Sequence, residues 1–282
     1  MIATKPRTKR FDTSSFLVYL LLGLLALVFL FPFYWMMISA TMSLPELGQF
    51  PPRLVPGGHL IENWNTLTGM LPLVRAFFNS LFISITTTLL QLFFCSLAGY
   101  AFAKYNFPGR ERLFIALLAT MMIPSAVGLI PWYVMMSKFH WVDQYQALIV
   151  PSMVSAFGVF WMRQFITASV PDELLQAARI DGCGDFGIYW RIVAPIILPG
   201  LGALGIITFM GAWNDYLGPL VIIRTLNNYT LPLVIGAMSS NLGTRIHLQL
   251  LGAAFATVPV LLVFFFASQR FIAGLTAGAL KG

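Results

Sequence analysis

V-P-D-E-L-L-Q-A-A-R-I-D-G-C-G-D-F-G-I-Y-W-R-I-V-A-P-I-I-L-P-G, from Val170 to Gly200, is the longest polar interruption in the second half of an otherwise apolar chain. Ser169 followed three residues later by Asp172 fits a capping box. Pro171 stands at the helix start, and Asp172 and Glu173 place negative charge in the first turn. Leu174, Leu175, Ala177 and Ala178 lie on adjoining faces, Arg179 suits the negative end of the dipole, and Gly182 is placed to stop the helix. A second apolar stripe follows Gly184-Asp185: Phe186, Tyr189, Trp190 and Val193 recur at helical spacing before Pro195 and Pro199. Two short amphipathic helices joined at a glycine, set between hydrophobic runs, are expected. Such a unit suits docking to a partner; the plainer alternative is an amphipathic hairpin lying on a membrane surface.

Composition bounds the class. Hydrophobic residues make up 58% and charged residues 10% of 282 residues, with a mean hydropathy of +0.81. A soluble domain carries roughly 25% charged residues, so the chain reads as an all-α integral membrane protein. Each span needs about 20 apolar residues, and six are expected, approximately 16–40, 76–103, 113–130, 147–166, 196–223 and 248–267. They sit in a membrane domain of residues 16–273, with tails at 1–15 and 274–282 and the polar loop at 170–195. The first run follows a basic segment but is too long for a secretory signal, so an uncleaved anchor is expected. Cys95 and Cys183 make no disulfide framework, and His59, His140 and His247 are too scattered for a metal site.

Charge placement orients the spans. Lys5, Arg7, Lys9, Arg10, Lys104, Arg110, Arg112, Arg163, Arg179, Arg191, Arg270 and Lys281 fall on one side, and only Arg53, Arg75, Lys138, Arg224 and Arg245 on the other. By the positive-inside rule both termini and the 170–195 loop are cytoplasmic. The same placement explains the net charge of +7 without nucleic acid, for which no basic run or aromatic-basic motif exists.

The central stretch resembles the EAA loop of ABC-importer permeases: a Glu-Ala-Ala triplet, three residues, Gly, nine residues, Ile, two residues, Pro. Here the Ala pair is Ala177-Ala178, the glycine is Gly182, the isoleucine Ile192 and the proline Pro195. Gln176 stands where that family usually has glutamate, and Glu173 lies three residues earlier on the same face. F-N-S-L at Phe78–Leu81, A-F-A-K-Y at Ala101–Tyr105, W-N-D at Trp213–Asp215 and the ending G-L-T-A-G-A-L-K-G from Gly274 are similar to the maltose-type carbohydrate permeases. Among them the chain is similar to the shorter permease of the pair. The resemblance implies a type I ABC importer permease fold in a bacterial inner membrane. It also implies a second, related permease, two ATPase subunits, an external solute-binding protein and surrounding lipid. On it, Glu173, Gln176, Ala177, Ala178, Asp181, Gly182 and Pro195 dock the ATPase. ATP and Mg belong to that ATPase, and this chain binds no cofactor, metal or nucleic acid and has no catalytic residue. The cargo implied is a sugar or a glycerol phosphate.

Asp215 is the only acid placed within an expected span. With Trp213 and Asn214 it either lines a substrate path, where an intramembrane ionisable group is expected to act, or ties helices where the fifth span bends towards Gly218-Pro219. Asn79 and Gln91 are expected to hydrogen-bond between helices, with lining of a pore as the alternative, and the Met121-Met122 and Met135-Met136 pairs to pack adaptably. Three classes of function are compatible with a multi-span chain. No G-x-x-x-x-G-K-[ST] loop is present, so the chain does not itself hydrolyse ATP by that device. A self-sufficient carrier or channel calls for intramembrane ion-coupling charges or paired broken helices, which are not evident. An intramembrane enzyme calls for a metal site or a carboxylate dyad, and Asp215 alone supplies neither. A permease coupled to an external motor accounts for the polar loop.

Overall fold

The computed structural model describes residues 13–241 and 245–279, with side chains described from 16 to 238 and 245 to 262. In chain order the helices are α1 (Thr13–Ser39), α2 (Leu44–Leu47), α3 (Leu60–Met70), α4 (Leu73–Lys104), α5 (Arg110–Thr120), α6 (Leu129–Lys138), α7 (Gln146–Ile149) and α8 (Ala156–Ser169). Then come α9 (Asp172–Ile180), α10 (Asp185–Ile188), a π-helical turn at Tyr189–Val193, α11 (Ala194–Ile196), α12 (Leu198–Trp213), α13 (Leu217–Ile222), α14 (Leu231–Asn241) and α15 (Ile246–Ala279). No strand occurs among the described residues. Among the described residues, three helical segments are long and apolar enough to cross a membrane: Phe16–Ser39, Leu73–Lys104 and Gln146–Ser169. The number becomes five if each of two bent helix pairs counts as one span.

The chain divides into two compact units. The first holds residues up to 67 together with 242–255. In it every side chain from Phe16 to Tyr34 on α1 is exposed, and an apolar helix bare on all sides is built for a lipid or protein surround rather than water. Below α1 the chain turns tightly. Asn63, buried on α3, donates from Nδ2 to the carbonyls of Ala40 (3.0 Å) and Met42 (2.9 Å). Thr41 Oγ1 accepts from Gly57 N–H at 2.7 Å. The 41–75 segment between the first two expected spans holds α2 and α3.

The second unit, residues 68–241 and 256–279 of the described chain, is organised on α4. Its inward stripe is rich in small and hydroxyl residues (Ala76, Ser80, Ser84, Thr87, Ser96 and Gly99), and α8 and α12 pack along it. Small residues let apolar helices approach closely. A Cβ on Gly99 would meet Met162 Cβ at 2.6 Å and Arg163 N at 2.8 Å, so the α4–α8 crossing admits only glycine there. Gln91 bridges from α4 to the Ser155 hydroxyl, which also caps α8 by accepting from Gly158 N–H at 3.0 Å. Asn79 donates to the carbonyls of Asn227, in a short 3₁₀ turn at Leu226–Asn228, and of Tyr229 just after it.

Several stretches depart from uninterrupted spans. Residues 113–130 fall on α5 and α6, which with the short 3₁₀ turn between them bend by 92°. Pro124 caps that turn, and a proline cannot continue the ladder of α5. Residues 196–223 include the 77° bend ahead of α12 and a second break at residues 214–216. Residues 147–166 carry a 3₁₀ turn at Pro151–Met153. The segment read as a tail from residue 274 continues α15 to Ala279. Residues 1–12 and 280–282 of the two tails lie outside the described residues.

Candidate functional site

Two places in the second unit gather the residues singled out from sequence. The first is the α9–α10 unit. Ser169 is the last residue of α8, and the N-cap of α9 is Pro171 with no side-chain cap, so the expected capping box does not form. Lys104 does the anchoring instead. Its side chain is 6% exposed, and Nζ donates to the Val170 carbonyl and to Asp172 Oδ1, both at 2.6 Å. The Asp172 carboxylate is mostly solvated, so the ion pair adds little, and the carbonyl bond carries most of the positioning. Leu175 and Ala178 turn into a core shared with Val170, Ile188, Tyr189 and Val193.

The helix ends as the glycine predicts. Gly182 has φ +80°, its N–H donates to the Arg179 carbonyl (3.1 Å), and Cys183 N–H reaches back to the Ala178 carbonyl (2.9 Å). This is a Schellman closure, which satisfies two terminal carbonyls and favours glycine at the left-handed position. Arg179 lies 3.4 Å from Asp185 and 5.7 Å above the Tyr105 ring. Burial, with the hydrogen bond to Asp185, pushes the Tyr105 phenol well above its usual pKa, so it stays protonated and holds the turn after α4 against α10.

The second amphipathic stripe does not run along one face. A π-helical turn carries Tyr189 and Val193 inward and leaves Phe186 and Trp190 outward, their rings 6.1 Å apart. Pro195, which lacks an N–H, lies two residues past the turn, and a widened turn before a proline accommodates the missing donor. The Tyr189 hydroxyl meets Ser96 Oγ on α4 at 2.6 Å, tying the turn to the central helix.

Of the residues expected to dock a partner, Glu173, Gln176, Ala177, Asp181 and Gly182 are exposed on and just after α9. Ala178 is buried beneath them, and Pro195 is exposed on α11, beside a cleft lined by Phe93 and Trp190. Apolar residues outside the expected docking set accompany them, Leu174 and Phe186 from the two amphipathic stripes and Ile180 besides: Ile180 is 86% exposed, Phe186 64% and Leu174 44%. An exposed apolar patch rimmed by charge on a membrane protein's polar loop has the composition of a protein-binding surface. Ile180 was visible as the isoleucine of A-A-R-I-D-G, but its outward direction was not.

The second place is a cavity of about 510 Å³ framed by α4, α8, α12, α13 and the chain before α14. Asp215 lines it, and Trp213 and Asn214 do not. Trp213 is 1% exposed, stacked on Phe209 at 5.8 Å and donating to the Ala256 carbonyl. Asn214 Nδ2 bonds the Met210 carbonyl at the end of α12. Asp215 Oδ1 accepts from Gly218 N–H at 3.2 Å, holding the start of α13. Hydroxyls that sequence did not single out share the cavity: Thr87, Thr208 and Thr230 are buried there with no hydrogen-bond partner, next to Gln91, Ser152 and Ser155. Thr87 precedes Gln91 by one helical turn on α4. The meeting of three elements is not a property of any local pattern. No cluster of His, Cys, Asp and Glu among the described residues has the geometry to hold a metal ion.

Comparison with known proteins adds to this geometry. A family model described as "Binding-protein-dependent transport system inner membrane component" matches residues 91–276. The chain is 35% identical over 276 residues to the arabinooligosaccharides transport system permease protein of Bacillus subtilis, covering 97% of this chain and 98% of that relative. It is 32% identical to the lactose transport system permease protein of Rhizobium radiobacter, covering 91% and 93%. Its fold is similar to a chain in the crystal structure of a bacterial ABC transporter involved in the import of the acidic polysaccharide alginate. That match has a TM-score of 0.79 and 21% identity, and covers 95% of this chain and all of that one.

Proposed function

Because the chain belongs to the family of binding-protein-dependent transport system inner membrane components, we propose that it is one permease subunit of an ATP-driven carbohydrate importer. In this reading it forms half of the translocation path with a second, related permease, and receives cargo from an external solute-binding protein. The spans are six: α1, α4, α5 with α6, α7 with α8, α12 and α15. Both termini and α9–α10 face the cytoplasm, as the twelve-to-five excess of Lys and Arg on that side supports. ATP and Mg are bound and spent on two partner ATPase subunits.

The observation that carries this reading is the α9–α10 unit itself. It presents Leu174, Ile180 and Phe186 outward with Glu173, Gln176 and Asp181 around them. Its base is fixed to α4 by Lys104 and by the Tyr189–Ser96 bond. A partner that grips the outer face therefore pulls on α4, the helix against which α8 and α12 pack. Motion passes as a displacement of packed elements. The cavity bearing Asp215, Thr87, Thr208 and Thr230 is the part of the path this subunit supplies. Its hydroxyls offer the donors and acceptors that a sugar's own hydroxyls need.

Uptake of labelled arabino-oligosaccharide into proteoliposomes holding the whole assembly tests the proposal. Uptake that requires ATP, both permeases and the binding protein is expected. Uptake by this chain alone, without ATP, contradicts it and makes the chain a self-sufficient carrier.

A further inference from the structure

The cavity carries an inference about which cargo passes, and it rests on the reading of that cavity as part of the path. Thr87 on α4, Thr208 on α12 and Thr230 ahead of α14 are each more than nine-tenths buried, and each Oγ1 lacks a partner. A buried hydroxyl left unpaired costs stability, and three of them converge on one space. Groups able both to donate and to accept would satisfy them, as water or a sugar hydroxyl does. Asp215 contributes the charge there. Among the described residues lining the cavity none is Lys, Arg or His, so nothing in the lining neutralises that carboxylate. Gly218 keeps it in place: a Cβ at that position would sit 2.5 Å from Asp215 Oδ2.

We propose that Asp215 is a specificity-determining residue that bars anionic cargo from a cavity whose hydroxyls suit a neutral, polyhydroxylated one. An anion entering meets an uncompensated like charge on the solvent-exposed Asp215, at a concave surface whose low-dielectric walls focus the field beyond that of bulk water. A neutral sugar meets a carboxylate that accepts hydrogen bonds from its hydroxyls. The filter acts on charge alone, so it is separable from the shape of the cargo and from the selectivity of the binding protein.

Thiol labelling of the assembled transporter reads this filter directly. In a Cys183→Ser background, the Thr208→Cys variant is treated with methanethiosulfonates that are neutral (methyl), cationic (trimethylammonium-ethyl) or anionic (sulfonatoethyl). The neutral reagent is expected to react. The cation-to-anion rate ratio is expected to exceed that of a free small thiol by about tenfold, the order produced by one unit charge at cavity distances. Asp215→Asn keeps an oxygen for Gly218 N–H and is expected to bring the ratio down to the free-thiol value. Should that variant fail to assemble, molar salt on the Asp215 protein is expected to collapse the ratio by screening. A ratio unchanged by Asp215→Asn, or by salt where that is the readout, overturns the charge filter while leaving the path reading standing. Failure of the neutral reagent to react overturns the path reading itself, and the filter with it.

Discussion

Ile180→Asp is the perturbation whose size follows most directly from the structure. The Ile180 side chain is 86% exposed, so removing it breaks almost nothing inside the chain, and surface changes of that kind usually shift stability by less than about 0.5 kcal/mol. If α9 docks a partner, the same side chain becomes buried in the assembly. Burying an isoleucine contributes about 1.5–3 kcal/mol, and a carboxylate in its place adds a desolvation penalty. At about 1.4 kcal/mol per tenfold, the loss amounts to roughly a 10- to 150-fold rise in Kd. A new acid at the C-terminal end of α9 also opposes the helix dipole, by about 0.3–1 kcal/mol. The assay titrates the ATPase dimer against the permease pair in nanodiscs, with Ile180→Leu as a volume-conserving control. A Kd within twofold of the unsubstituted value, in a permease pair that assembles normally, would refute the docking role of this face.

Three further outcomes are expected. Gly182→Trp meets no atom within 4 Å at its Cβ, so its cost is the left-handed backbone, about 1–2 kcal/mol; ATP hydrolysed per sugar transported should rise several-fold without loss of assembly, and normal coupling would refute this. Gln176→Glu should be tolerated or improve coupling in the same transport assay, whereas a severe loss would show that the partner's cleft fits a neutral side chain. Partial burial raises the Asp143 pKa, but hydrogen bonds from the Thr225 hydroxyl and from the Thr225 and Arg224 N–H groups outweigh it and hold the carboxyl below its usual value. Because the folded pKa is depressed, the stability it gives is complete above the ordinary Asp value of about 4 and is lost as pH falls through the folded value. Thermal unfolding of the Asp143→Asn variant should lack that acid-side fall.

The membrane class was legible because it needs only composition, and the end of α9 because Gly182 imposes a backbone conformation that few other residues accept. The start of α9 was misread. Ser169 and Asp172 have capping-box spacing, but α8 runs through Ser169, and the tie comes from Lys104, distant in sequence. Phe186, Tyr189, Trp190 and Val193 fit a 3.6-residue period, yet a π-turn changes the angle per residue and splits them between two faces. Pro124 stands inside the 113–130 run of the sequence, but nothing local gives a bend of 92°. Trp213 and Asp215, two positions apart in one motif, part company because the helix ends between them: the ring enters the core and the carboxylate turns to the cavity. Thr87, Thr208 and Thr230 carry no sequence signal, since their significance lies in meeting.

The central claim is that α9–α10 couples this chain to an ATPase it does not itself contain. It is tested most directly by mild-detergent purification of the tagged protein from its native membrane, with co-purifying chains identified and counted by mass. An ATPase, a second related permease and this chain are expected in the ratio two to one to one, with the ATPase lost on Ile180→Asp. Recovery of this chain alone, active in vesicles without ATP, would contradict it.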